Sequence, residues 1–402
     1  MLAVLLLLVS TISIQSMNAT ARAERFLPGA CERGGPLTCT FKLKDVPTSV
    51  AIEEGSPRAF VLHTDADTTV DPQACDRSVC RGSVSMIDLT KMQLVRTVSV
   101  GSAPGLPLVD RLTHRLFVVD ERGDGDGTVY TIDTRTGRVV GRIQAGLCPC
   151  STALAAKTNR VFVSTSAGLR MLDATSGAVI RTLPSLAGSV VIDDRLNRAY
   201  TYGPGGMVVA DAASGRALRT WKVGECRGQI AIDQRHDRLY TARAVDGTGS
   251  NQSQGYFCVI DARSGTIRAT IKEGVGVTTR VLAVDSVAGT VVLFTHGYVG
   301  NGPVRVVHGL TGETIRILED ATPIPPPIVG AKTGTVYYMA RVRYDPASRR
   351  EVSALLRLNR LREEPELLVN KLALPSEMVL SATHKYLLLP SPSLKSLLVL
   401  HL

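Results

Sequence analysis

One phrase recurs through the chain and constrains its fold more than any other feature. Two alternating apolar runs flank an Asp-x-x-[Ser/Thr]-Gly segment. It reads IDLTKMQLVRTV from Ile87, IDTRTGRVVGRI from Ile132, LDATSGAVIRTL from Leu172, ADAASGRALRTW from Ala210, IDARSGTIRATI from Ile260 and VHGLTGETIRIL from Val307. A weaker copy, LRLNRLREEPEL, starts at Leu356. The aligned positions Asp88, Asp133, Asp173, Asp211, Asp261 and His308 stand 45, 40, 38, 50 and 47 residues apart. Period-two alternation on both sides of turn residues that tolerate positive φ makes each copy a β-hairpin.

A second phrase interleaves with the first: an apolar strand, a polar turn, a basic residue and another apolar strand. Clear copies are LVDRLTHRLFVVD from Leu108, VIDDRLNRAYTYG from Val191 and AIDQRHDRLYTAR from Ala231. Looser ones begin at Val50, Ala153, Ala283, Ile328 and Val379. Each repeat therefore carries an A-B hairpin and a C-D hairpin. Four strands at this period, without helical stretches, predict an all-β fold, a single β-propeller of four-stranded blades.

Eight A-B phrases favour eight blades, with seven left open. After the last A-B pair only SLLVLHL, 396–402, remains, enough for one C strand. LTCTFKL, 37–43, precedes the first blade and supplies a candidate D strand. Closing one blade from both chain ends removes the free edges an open ring would leave. The expected division is a signal peptide over 1–23, a segment with the closing strand over 24–44 and the propeller over 45–402.

The strand text around Arg115-Leu116-Phe117-Val118 and Arg238-Leu239-Tyr240-Thr241, with hairpins ending at Gly137, Gly177, Gly215, Gly265 and Gly312, resembles the YVTN-type β-propeller repeat of YncE-like exported propellers. The resemblance spans about residues 45 to 402. It implies an exported or surface protein with a binding role. The shared residues are structural, so no catalytic group carries over.

The N-terminus agrees with export. Leu2 to Val9 is almost wholly apolar, far short of the roughly 20 residues that span a bilayer. Ala19-Thr20-Ala21 and Ala21-Arg22-Ala23 both have the small-x-small form of a signal-peptidase site. Eight cysteines, an even number, suit an oxidising compartment, extracellular or periplasmic. Candidate disulfides are Cys31–Cys39, Cys75–Cys80 and Cys226–Cys258. Cys148-Pro149-Cys150 remains as a strained local disulfide, a redox dithiol or a soft-metal site, the structural reading being preferred.

In an up-and-down propeller the B-C and D-A loops share one face. The B-C connections are long and irregular here: 65–82, 121–127, 244–255, 298–302 and 344–351. Function on a rigid scaffold gravitates to such loops, so this face is the expected binding face. Two of its loops are acidic, with Asp65, Asp67 and Asp71 in one and Asp120, Asp124 and Asp126 near the other. Neither has the spacing of a Ca²⁺ loop, and solvated turns are expected. His63 and His296 end B strands beside this face, where a general base or metal ligand would sit, although partial burial is the plainer reading. His114, His236 and His384 fall in polar A-B turns.

The net charge of +10 comes mostly from arginine, 36 Arg against 10 Lys. Spread through the repeats, it suits weak attraction to anionic cell-surface polymers. Aromatic-basic interleaving is missing, so nucleic acid is not expected. With a single tryptophan, Trp221, a sugar-stacking site has little support. The reading is a secreted, monomeric binding scaffold for a protein, glycan or small molecule. Its alternative is a channel-mouth hydrolase or lyase using a divalent metal. No cofactor is evident from the motifs.

Overall fold

The computed structural model describes residues 31–402, apart from 36–37, 66–79, 121–126, 147–150, 166–167, 185, 245–253, 276, 298–299, 319, 331, 346–349, 360–363, 382 and 384. The segment read as a signal peptide, 1–23, lies outside the described residues.

Eight antiparallel sheets follow one another in chain order. Blade 1 comprises Val46–Glu53, Arg58–Thr64, Gly82–Asp88 and Gln93–Ser99, and blade 2 Pro104–Asp110, Arg115–Asp120, Gly127–Asp133 and Arg138–Gly146. Blade 3 is Ser151–Ala155, Arg160–Thr165, Gly168–Asp173 and Val179–Leu183; blade 4 is Ala187–Asp193, Arg198–Gly203, Gly206–Asp211 and Ala217–Trp221. Blade 5 runs through Gln229–Asp233, Arg238–Ala244, Gln254–Asp261 and Ile267–Val275, and blade 6 through Val277–Asp285, Thr290–Gly297, Gly300–His308 and Thr314–Leu318. Blade 7 contains Ile328–Val329, Val336–Asp345, Arg350–Leu358 and Glu366–Leu372. In each, A pairs B, B pairs C and C pairs D, and the A strands pack side by side. The chain is an eight-bladed β-propeller.

Blade 8 closes the ring. Val379–Ser381, Tyr386–Ser391 and Ser396–His401 are its A, B and C strands, and Thr38–Lys42 adds as D, with Thr38 opposite Leu400 and Lys42 opposite Ser396. A fifth strand, Cys31–Gly35, then pairs outside Thr38–Lys42. The sequence pattern does not announce this strand, because CERGG has no apolar alternation.

The core lies between blades. Eight apolar clusters fill the eight seams, one for each neighbouring pair of blades. Strand B of blade 5 shows why. Leu239 faces blade 4 and Tyr240, the next residue, faces blade 6, and both are fully buried. Alternate side chains point to opposite faces of a sheet, so a strand covered on both faces reads as a continuous apolar run.

The repeated Asp closes the C-D turns of blades 1 to 5. In blade 3 the Asp173 Oδ1 accepts from the amides of Thr175 (3.1 Å) and Ser176 (2.9 Å) and from the Ser176 hydroxyl (3.0 Å). His308 Nδ1 takes that place in blade 6, accepting more weakly from the Leu310 and Thr311 amides. Blade 1 lacks the turn glycine, and Met92 adopts the left-handed conformation instead (φ 50°).

The basic residue opening strand B is an inter-blade clamp rather than free surface charge. Arg115 pairs with Asp133 of its own blade (2.7 Å) and donates through Nε to the Thr175 carbonyl of blade 3. Arg160 repeats this with Asp173 and the Ala213 carbonyl of blade 4, and Arg198 donates to the Ala262 and Arg263 carbonyls of blade 5. At the closing seam two carboxylates from different blades do equivalent work. Glu54 of blade 1 accepts from the Thr383 amide and hydroxyl, and Glu377, just before blade 8, accepts from the Val50 amide and the Ser49 hydroxyl (2.9 Å).

Candidate functional site

Most of the long B-C loops fall outside the described residues, but the side chains at their bases are visible and largely structural. Asp65 Oδ1 accepts from the Arg81 amide across the foot of its loop (2.8 Å). Asp120 accepts from the Ser102 and Ala103 amides, holding the crossing from blade 1 to blade 2. Asp67, Asp71, Asp124 and Asp126 lie outside the described residues. Among the described residues, no three of His, Cys, Asp and Glu come together as a metal-binding group.

His63 is buried within blade 1, its Nε2 2.7 Å from Ser85 Oγ and its Nδ1 3.1 Å from Ser83 Oγ and 3.6 Å from Asp45. Burial pushes the imidazole below its ordinary value, against the opposing pull of Asp45. A neutral, internally bonded ring is a packing element. Two of the A-B turn histidines are likewise occupied: His114 Nδ1 sits 2.9 Å from buried Glu53, and His236 Nδ1 2.8 Å from Asp233; His384 lies outside the described residues.

Cys226 and Cys258 form a disulfide, Cα–Cα 5.6 Å, joining the crossing into blade 5 to that blade's C strand. Cys39 and Cys80 are each disulfide-bonded as well. The side chains of Cys31 and Cys75 lie outside what is described, as do Cys148 and Cys150.

Among the described residues, the B-C/D-A face holds a formed concavity between blades 6 and 7. Its origin is the crossing over 320–327, which contains Pro323, Pro325, Pro326 and Pro327. Proline has no N–H to give to a ladder, and strand A of blade 7 is accordingly cut to Ile328–Val329. The crossing is tied to strand B of blade 7 by the Thr322 amide and hydroxyl, both donating to the Met339 carbonyl (2.8 and 3.2 Å), and by an Ala321–Ala340 bridge. A seam that a full-length strand would fill is left with a cavity of 380 Å³.

Register explains what lines it. In blade 6, Thr278 stands opposite His296 and Arg280 opposite Phe294, all on one sheet face. In blade 7, Arg341 stands opposite Ser353. These six, with Thr322, Pro323, Ile324 and Leu374, surround the space. Phe294 and buried Ser353 lie deep, Arg280, His296 and Arg341 are exposed, and the Phe294 and His296 rings meet at 6.3 Å. Sequence reasoning singled out only His296 of this group. A signal for Arg280 existed: blades 2, 4 and 5 have Gly105, Gly188 and Gly228 at the equivalent distance before the A-B turn Asp.

No family model matches this chain, and none of the curated proteins matches it. Its fold is similar to that of solved propeller structures. BamB from Moraxella catarrhalis shares 16% identity over 80% of this chain and 88% of its own (TM-score 0.54). Dihydro-heme d1 dehydrogenase NirN, solved in complex with DHE, shares 13% over 79% and 71% (TM-score 0.54). Hydrazine synthase from Kuenenia stuttgartiensis shares 15% over 72% and 92% (TM-score 0.51). At these identities the likeness is one of fold.

Proposed function

We propose that this chain is an exported β-propeller of the YVTN type that acts as a binding scaffold, engaging its partner through the B-C/D-A face at the cleft between blades 6 and 7. The repeat text supports the subtype, and the apolar N-terminal run supports export. The Cys226–Cys258 disulfide is in keeping with an oxidising compartment. Similar folds include a dehydrogenase and a synthase by name, so architecture alone does not choose between scaffold and enzyme. The observation that carries the scaffold reading is the cleft's make-up: guanidinium and hydroxyl groups around an apolar bed, the composition of a recognition pocket. Trp221 is buried in the seam between blades 4 and 5, so it offers no platform for a sugar ring.

The test is a photo-crosslinking residue placed at Ile324, 61% exposed beside the cleft, or at Leu112, 58% exposed on an A-B turn of the opposite face. In the producing cells the Ile324 probe is expected to give a discrete adduct and the Leu112 probe none. Adducts from Leu112 alone, or equally from both, would refute the assignment of the face.

A further inference from the structure

Several arginines that line strands elsewhere meet acids. Arg115 meets Asp133, Arg160 meets Asp173, Arg268 meets Asp261, Arg305 meets Glu273 and Arg357 meets Glu366. Arg280 and Arg341 make no ion pair among the described residues, yet they line the same cavity from two different blades. Two guanidinium groups facing one space repel each other, and an anion between them removes that cost while receiving charge-assisted hydrogen bonds. Thr278 and Ser353 add hydroxyls to the same wall. The Thr322 hydroxyl is already committed to the Met339 carbonyl.

The rest of the lining is apolar. Phe294, Pro323, Ile324 and Leu374 form a bed that a bare inorganic ion would leave uncovered. A 380 Å³ space sits at the small end of ligand pockets, which run from about 300 to 1,000 Å³. That is room for one ring or a short chain.

We infer that the cleft between blades 6 and 7 binds a small organic anion, its oxyanion head held between Arg280 and Arg341 and its apolar body on Phe294, Pro323, Ile324 and Leu374. This rests on the reading of the cleft as the docking point and names what enters it. A carboxylate and a phosphate monoester offer the same head-group chemistry, and the probes below separate them.

The experiment is calorimetric titration of the full secreted chain with benzoate, phenyl phosphate, inorganic phosphate and benzyl alcohol. One of the two aromatic anions should saturate at one per chain with Kd at or below ~1 mM, with benzyl alcohol and inorganic phosphate about tenfold weaker or worse. Preference for benzoate assigns a carboxylate ligand, and preference for phenyl phosphate assigns a phosphate ester. R280Q and R341Q should each weaken binding about tenfold and leave the thermal midpoint unchanged, since neither side chain clamps a blade. The inference is overturned if neither aromatic anion saturates, if the alcohol binds as well as the acids, or if both glutamine variants keep full affinity. Should the anions fail while the Ile324 probe still yields its adduct, the binding face stands and the anion site falls. Anion binding without an adduct leaves the site in place and removes the macromolecular partner.

Discussion

Substituting Glu377→Gln should flatten the pH dependence of this protein's stability between pH 5 and 8. Burial raises the Glu377 carboxyl to about 7, against the opposing pull of the Val50 amide and Ser49 hydroxyl. In the unfolded chain the same group releases its proton near its ordinary 4.5. Between those values the folded state holds a proton that the unfolded state has lost, so stability falls as pH rises. The slope is about 1.4 kcal/mol per pH unit, giving about 3 kcal/mol over the interval as an upper figure, because the carboxyl keeps some contact with water. Glutamine keeps the oxygen that accepts from Ser49 and Val50 and cannot ionise. The variant should therefore equal the wild type near pH 4.5 and exceed it at pH 8. With an unfolding entropy of about 2.1 cal/mol/K per residue, that excess is about 4 °C in Tm. The assay is the Tm difference between the two proteins, followed by circular dichroism in steps from pH 4.5 to 8. His63 titrates with the opposite sign, its lowered value making acidification unfavourable, but it is present in both proteins and drops out of the difference. Parallel pH profiles would refute the reasoning.

Two further outcomes are expected. In Gly265→Ala the new Cβ would lie 2.2 Å from the Trp221 ring on a backbone at φ +78°. Destabilisation of about 2–4 kcal/mol should follow, with a shifted emission from the chain's single tryptophan; an unchanged Tm and spectrum would contradict the close packing of this seam. Replacing both Cys226 and Cys258 with serine frees a loop spanning 32 positions and should cost roughly 3–4 kcal/mol, read as a Tm loss in the variant; an unchanged Tm would mean the bond constrains nothing.

Much of the architecture was legible because blade geometry repeats in sequence. The Asp at the C-D turns of blades 1 to 5 and the paired apolar runs mark the repeat, and the strand closing blade 8 follows from one unpaired C strand at the end of the chain. Strand Cys31–Gly35 was not legible, since its pairing comes from proximity to Thr38–Lys42 and not from side-chain alternation. The arginines were visible but their role was not. Arg115, Arg160 and Arg198 recur at the blade period, and that periodicity, more than the net charge, marks them as clamps to the next blade. The cleft is the hardest case. Arg280 departs from the glycine that blades 2, 4 and 5 carry at its position, while Arg341 and Leu374 come from other elements, and only the folded ring brings the three round one cavity. The prolines of 323–327 were the available clue, because a run without amide donors cannot make a full inner strand.

The pairing of Thr38–Lys42 with Ser396–His401 gives the ring a directional life history. Emerging N-terminus first, the early strand pairs locally with Cys31–Gly35 on one edge, but its other edge has no partner until strand Ser396–His401 has been delivered. Until then the apolar faces of blades 1 and 8 that meet at Phe41, Val61, Leu388 and Val399 remain open to solvent. The most non-local strand pairing in the molecule is thus also the one that seals the ring. A chain stopped short of residue 396 would lose Leu397 and Val399 from one seam of blade 8 and Leu398 and Leu400 from the other, leaving open strand edges inclined to pair with its own copies.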